Sequence, residues 1–201
     1  MEKNKRILVI DDDKAIGETY QKIFSPVDRQ DLIVQDLTTF SRVDDMDFHH
    51  ADINTIMDST LSILHNELKS KVTIIKDYQT LPEIKCFPRK LSQVFTNLII
   101  NACQAIDTKG TIQISTQFLQ QGRRTSDSLI VIRIMDTGCG IPQENISQLF
   151  DPFFTTKPVG LGTGLGLGIT YEIIKAHGGN IEVTSQVAEG STFTILLPAQ
   201  I

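Results

Sequence analysis

The sequence predicts an α+β fold: a two-layer sandwich of a mixed sheet covered by helices, with a helical segment on its N-terminal side. Three observations carry this expectation. Apolar, β-branched runs recur as strands that neighbour one another along the second half of the chain. Two long segments, near 52–64 and 88–106, instead space their apolar residues at a helical period. A chain of 201 residues with 40% hydrophobic content is also large enough to enclose a true core.

Taken in order, residues 6–13, "RILVIDDD", read as an apolar strand running into acids. "KAIGETYQKIF" places Ile16, Tyr20 and Phe24 at helical spacing, and Ser25-Pro26 breaks that helix. From Asp28 to Val43, Ile33, Leu37 and Phe40 line one helical face. "DDMDFHHAD" is a polar connector. Asp52 then caps a helix whose inward positions are Ile53, Ile56, Thr60, Ile63 and Leu64. "VTIIKDY" at 72–78 is a strand. Pro88 opens a long helix through Ile106, as proline does at a first helical position. Strands follow at 111–118, 128–135 and 180–185, with a helix from Gly164 to His177 before the last of these. Residues 191–197 close a hairpin with it.

The net charge of -5 argues against a nucleic-acid surface. No signal peptide is evident, and no apolar run reaches the roughly 18 residues of a membrane span. Cys86, Cys103 and Cys139 are odd in number and lack metal-ligand spacing, so they read as reduced thiols of a cytoplasmic protein. Cys139 is a small loop residue.

Seven of the 13 glycines lie between 138 and 168. In "KPVGLGTGLGLGI" they alternate with Leu161, Leu165 and Leu167 and lead straight into a helix. A flexible linker would be hydrophilic and would not run into regular structure. Glycines let backbone N–H groups approach an anion, and a helix start adds positive potential, so this stretch reads as a phosphate cradle. It has neither the Gly-Lys-Ser/Thr of a P-loop nor the G-x-G-x-x-G spacing of a dinucleotide fold. On the long helix Asn97 and Asn101 are four apart and share a face, opposite apolar Val94, Leu98, Ile99, Ala102 and Ile106. Magnesium bridging phosphates needs few protein ligands, which makes the Asn101 carbonyl a candidate for one. In "DTGCGIP", Asp136 stands where a buried strand ends and a glycine loop begins.

"NLIINACQAI", "DTGCGIP", "FDPFFTTKP" and "GTGLGLGI" resemble, in order and spacing, the asparagine box, first glycine box, phenylalanine box and second glycine box of sensor histidine kinases. Either glycine box alone would be weak; the four together are specific. The short loop between Pro142 and Gly162 and the "NACQAI" ending resemble the nitrogen-regulation type. The resemblance covers residues 48–199 and implies a catalytic domain that binds ATP or ADP with Mg²⁺. It implies that Asp136 accepts a hydrogen bond from the adenine amino group, with Gly138 and Gly140 leaving room for the ring. Asn101, and Asn97 with it, match the magnesium and phosphate positions, Asn101 being the metal ligand. Lys157 is placed to reach the phosphates. Gly162, Thr163, Gly164, Leu165 and Gly166 match the phosphate-lining lid, which should include Phe150, Phe153 and Phe154.

Two features depart from a complete kinase. A phosphoacceptor histidine is followed by Glu or Asp, with Pro a turn later, and His49, His50, His65 and His177 all lack that context. No residue is therefore assigned a catalytic role, and self-phosphorylation is not expected. "DLTTFSRVD" resembles the end of the second dimerisation helix, so residues 28–47 read as its remnant. Residues 1–27 resemble the first strand and helix of a response-regulator receiver domain, with Asp11 and Asp12 at its acidic pair. The rest of a receiver has no room before residue 28, so a junction is expected near Ser25 to Asp28. Residues 48–201 form the ATP-binding domain. The partners implied are a response regulator or a separate histidine-bearing protein, and a second copy through residues 1–45. A nucleotide-responsive regulatory module and an anti-sigma-type kinase stay open as alternatives. Gyrase-like or heat-shock ATPases hydrolyse with an acid near the asparagine helix, and none occurs between Leu91 and Ile106.

Overall fold

The computed structural model describes residues 48–120, 128–157 and 162–199. Strand β1 (His49–Ala51) leads into helix α1 (Ile53–Leu68), strand β2 (Val72–Tyr78) and strand β3 (Ile84–Cys86). Helix α2 (Pro88–Ala105) precedes strands β4 (Gly110–Leu119) and β5 (Leu129–Asp136). A short helix α3 (Gln143–Ile146), helix α4 (Gly166–Ala176) and the hairpin of β6 (Asn180–Gln186) and β7 (Gly190–Pro198) complete the order.

The main sheet runs β2-β4-β5-β7-β6. Its β2–β4 pair is parallel and the other pairs are antiparallel, so the sheet is mixed as expected. The parallel pair follows from the connection: β3 and the long helix α2 form the crossover that returns the chain to the same end. One face carries Ile112, Ile114, Ile130, Ile132, Ile134, Phe193, Ile195 and Leu197, all buried. Helices α1, α2 and α4 pack over that face, where Ile53, Met57, Leu91, Phe95, Ile99 and Ile174 complete the core. Alternation along each strand produces this arrangement, because side chains two apart share a face.

Several expectations need correction. Ile63 does not face inward; it is 77% exposed. The buried stripe of α1 is Ile53, Ile56, Met57, Thr60, Leu61, Leu64 and Leu68. At about 100° per residue, Ile63 lies just beyond Ile56 at the edge of that stripe, on the water side. The polar connector is not wholly irregular either. His49–Ala51 pairs antiparallel with Ile84–Cys86 as a small second sheet. Its register sets His49 opposite Cys86, 37 positions away, which local pattern cannot reveal. Helix α4 begins at Gly166, two residues later than the glycine run suggested.

The elements expected within residues 1–47, and the dimer contact expected through residues 1–45, lie outside the described residues. Among the described residues no helix is long and apolar enough to cross a membrane.

Candidate functional site

The strand β5 puts Asp136 on the helix side of the sheet, in line with Ile130, Ile132 and Ile134. The alternation that builds the core therefore ends on a carboxylate, and Asp136 is only 3% exposed. Its Oδ1 accepts from the Gly138 N–H at 2.8 Å, an Asx-type turn that folds the glycine loop back over the strand end. The Ser191 N–H from β7 also donates to it. Burial raises the Asp136 pKa, and the two backbone donors partly oppose this. A carboxylate has roughly four acceptor positions, so two donors leave capacity for a further hydrogen bond.

The loop after Asp136 seals the end of α2. The Cys139 N–H donates to the Ala105 carbonyl at 2.9 Å, satisfying an orphan acceptor of the last helical turn. Gly138 lies so close that an added Cβ would come within 2.7 Å of the Ala105 backbone. Gly140 follows in the same turn, and the Cys139 carbonyl accepts from the Ala188 N–H at 2.8 Å, tying the loop to the β6–β7 hairpin. Cys139 is exposed.

From this end, α2 runs back with its partly exposed face carrying Asn101 and then Asn97. Ala105 to Asn97 spans eight residues, about 12 Å along the axis. The Asn97 amide donates to the Gly166 carbonyl at 2.9 Å and to Thr170 Oγ1 at 3.4 Å, which binds α2 to the first turn of α4. Asn101 Oδ1 accepts from Lys157 Nζ at 3.4 Å. The same ammonium donates to Gln104 Oε1. Burial lowers the Lys157 pKa.

The second glycine run meets this stripe from above. Gly162 abuts Thr155, and Thr163 Oγ1 accepts from the Leu165 N–H at 3.3 Å. Gly164 has φ +68°, and its carbonyl accepts from the Phe153 N–H at 2.9 Å. A Cβ on Gly164 would stand 2.4 Å from the Phe153 carbonyl carbon. Leu165 packs against the core and precedes Gly166, the first residue of α4. No side chain caps α4, so its first N–H groups have no acceptor from a cap residue. Of the phenylalanines, Phe150 stacks on Tyr171 at 5.5 Å, whereas Phe153 is 72% exposed at φ 69°. Leu161 lies outside the described residues.

Thus Asp136, Gly138 and Gly140 sit at one end of α2, Asn101 and Lys157 in the middle, and Asn97 with Gly164, Leu165 and Gly166 at the other end. The donor set suits a nucleoside phosphate with a hard cation. It offers a buried carboxylate acceptor, a cradle that a Cβ would fill, neutral amide oxygens already accepting from a cation, and an uncapped helix start. Gln104 escaped notice as a site residue, although its i+3 spacing from Asn101 places both on one face. Ser191 and Thr170 have no sequence signal, since strand and helix packing alone brings them to Asp136 and Asn97.

Comparison with known proteins gives a family. Residues 87–201 match the one described as histidine kinase-, DNA gyrase B-, and HSP90-like ATPase. Sensor histidine kinase ZraS of Escherichia coli (strain K12) is 34% identical over 192 residues, covering 93% of this chain and 39% of the relative. Signal transduction histidine-protein kinase AtoS of the same strain is 36% identical over 178 residues, covering 88% and 28%. Among solved structures, the Acinetobacter baumannii histidine kinase AdeS aligns with a TM-score of 0.68 at 26% identity, covering 96% of this chain and 88% of that one. The chain spans well under half the length of these two curated relatives.

Proposed function

We propose a function from one premise: this chain belongs to the family of histidine kinase-, DNA gyrase B- and HSP90-like ATPases, and carries a histidine-kinase ATP-binding catalytic domain. Within that family we assign it to the nitrogen-regulation type of sensor kinase, on its short loop between Pro142 and Gly162 and its "NACQAI" helix end. The domain binds ATP or ADP with Mg²⁺ and serves a phosphorelay that ends on a response regulator. The observation that carries this reading is the single line of polar groups along α2, from buried Asp136 to the start of α4.

Each residue then has a task. Asp136 accepts from the adenine amino group, with the ring in the space that Gly138 and Gly140 leave. Asn101 offers its carbonyl oxygen to the metal. Asn97 holds α4 in place, so that Gly164, Leu165 and Gly166 bring the start of the helix to the phosphates. Gly162 and Thr163 line the approach, and Lys157 supplies a mobile positive charge. Magnesium, when bound, neutralises phosphate charge and orients the terminal phosphoryl group.

The phosphoryl acceptor is a histidine on another helix, not one of those in this chain. His49, His50 and His65 are exposed and lack an adjacent acid. His177 uses both ring nitrogens, with Nδ1 at 2.7 Å from the Ile173 carbonyl and Nε2 accepting from the Phe87 N–H at 3.0 Å. Residues 1–27 and 28–47 are read, on sequence resemblance, as a truncated receiver start and a remnant of the second dimerisation helix. Incubation with radiolabelled ATP tests the assignment. The chain alone should stay unlabelled, and a supplied histidine-bearing helical hairpin should acquire acid-labile label. Label on His49, His50 or His65 would contradict the acceptor assignment. Nucleotide binding without transfer to any supplied histidine would favour a regulatory module instead.

A further inference from the structure

The polar face of α2 carries three carboxamides, and they are not used alike. Asn97 is committed through its amide to Gly166 and Thr170 on α4. Asn101 and Gln104 both turn their oxygens to one donor, the Lys157 ammonium. Among the described residues Lys157 has no carboxylate partner. Nor does α2 supply an acid between Leu91 and Ile106. A half-buried ammonium is thus held by neutral amide oxygens alone, at the side chain assigned above to the metal. Those oxygens are the ligand type that a hard divalent cation also prefers. Two cations cannot share the Asn101 oxygen without strong repulsion at such short range.

We propose that Lys157 is the resident cation of this position, held there by Gln104, and that it serves nucleotide phosphates in the absence of metal and gives way when metal binds. Gln104 is a positioning residue acting through Lys157. Its i+3 spacing from Asn101 lets the two oxygens converge on one ammonium. The inference rests on the nucleotide reading above and extends it to the order in which cations use the site.

The test is the affinity of the full chain for ATP, measured by calorimetry once in EDTA and once in saturating Mg²⁺. The ratio of the two affinities is the magnesium gain. Lys157→Met should weaken binding in EDTA by at least about tenfold, as expected for loss of a charge-assisted hydrogen bond to phosphate. Affinity in Mg²⁺ should stay within about twofold of wild type on the same grounds, so the gain rises. Lys157→Arg should preserve binding in EDTA. Gln104→Leu should shift the gain in the same direction by a smaller factor. The double variant should equal Lys157→Met alone, because Gln104 acts only through the lysine. Equal weakening in both conditions would make Lys157 an ordinary phosphate contact and overturn the proposal, as would additive effects of the two substitutions. A wild-type chain that binds no ATP in either condition would instead remove the nucleotide reading beneath it. Thermal melts of each variant distinguish a lost contact from a lost fold.

Discussion

Asp136 is a buried carboxyl whose ionised form is opposed by desolvation and only partly supported by the Gly138 and Ser191 N–H groups. Burial raises its pKa, so its ionised form opposes folding. That stability is fully present below the unfolded pKa and is lost as pH rises through the folded one. Asp136→Asn should therefore leave the melting temperature at pH 7 unchanged or higher, while weakening ATP by about 1–3 kcal/mol through mispairing of a buried polar group. A variant that melts lower and binds normally would make the carboxylate structural. His177 has the opposite sign. Burial first, and then the nearby Lys90 charge, lower its pKa from the ordinary 6.5, against the hydrogen bond to Ile173. Its stabilisation is complete above 6.5 and is lost as pH falls through the folded value. Urea midpoints should thus drop between pH 7.5 and pH 5.5, and the drop should shrink in His177→Gln. An undiminished drop in that variant would place the titration elsewhere. At this scale the sequence reveals much of the site. Strand alternation and the glycine loop single out Asp136, and i+4 spacing pairs Asn97 with Asn101. It conceals Ser191, whose relation to Asp136 is set by the pairing of β5 with β7.

The elements owe their positions to two kinds of information, and only one is local. Helix α2 is legible because Pro88 fixes its start and its apolar stripe is wide, including Leu91, Val94, Phe95, Leu98, Ile99 and Ala102. Ile63 on α1 is misread because it is apolar yet lies past the stripe edge, where periodicity alone cannot tell a boundary residue from an interior one. The β1–β3 pair is illegible because β1 carries two exposed histidines and the alternation of Ile84, Lys85 and Cys86 in β3 is too short to read. The lid helix α4 is legible in existence but not in start, since the glycines that precede it serve turns. Gly164 is the clearest of these. Its positive φ and its contact with the Phe153 backbone exclude a branched side chain. Gly164→Val should shift the first turn of α4 and weaken ATP at least about tenfold, or roughly 1.4 kcal/mol. Titration with a fluorescent ATP analogue checks this, and wild-type affinity in the variant would detach the glycine from phosphate binding.

At the scale of the described residues as a whole, the main sheet and three packed helices bring together residues far apart in the sequence. Asn97 lies 69 positions from Gly166, and Lys157 lies 56 from Asn101. Asp136 is anchored in the sheet, whereas Lys157 meets α2 through hydrogen bonds to Asn101 and Gln104, and Leu165 packs against the core. The proposed adenine contact thus lies at the sheet end, and the proposed phosphate contacts lie along α2 and at the start of α4. Base selectivity therefore tests the proposed role of Asp136 most directly. The central measurement is a calorimetric comparison of ATP with GTP on the purified chain in Mg²⁺. Saturable ATP binding and poor GTP binding are expected, because guanine presents a carbonyl where the proposed contact to the buried Asp136 carboxylate requires a donor. Equal affinity for the two nucleotides, or no heat at millimolar ATP, would contradict it.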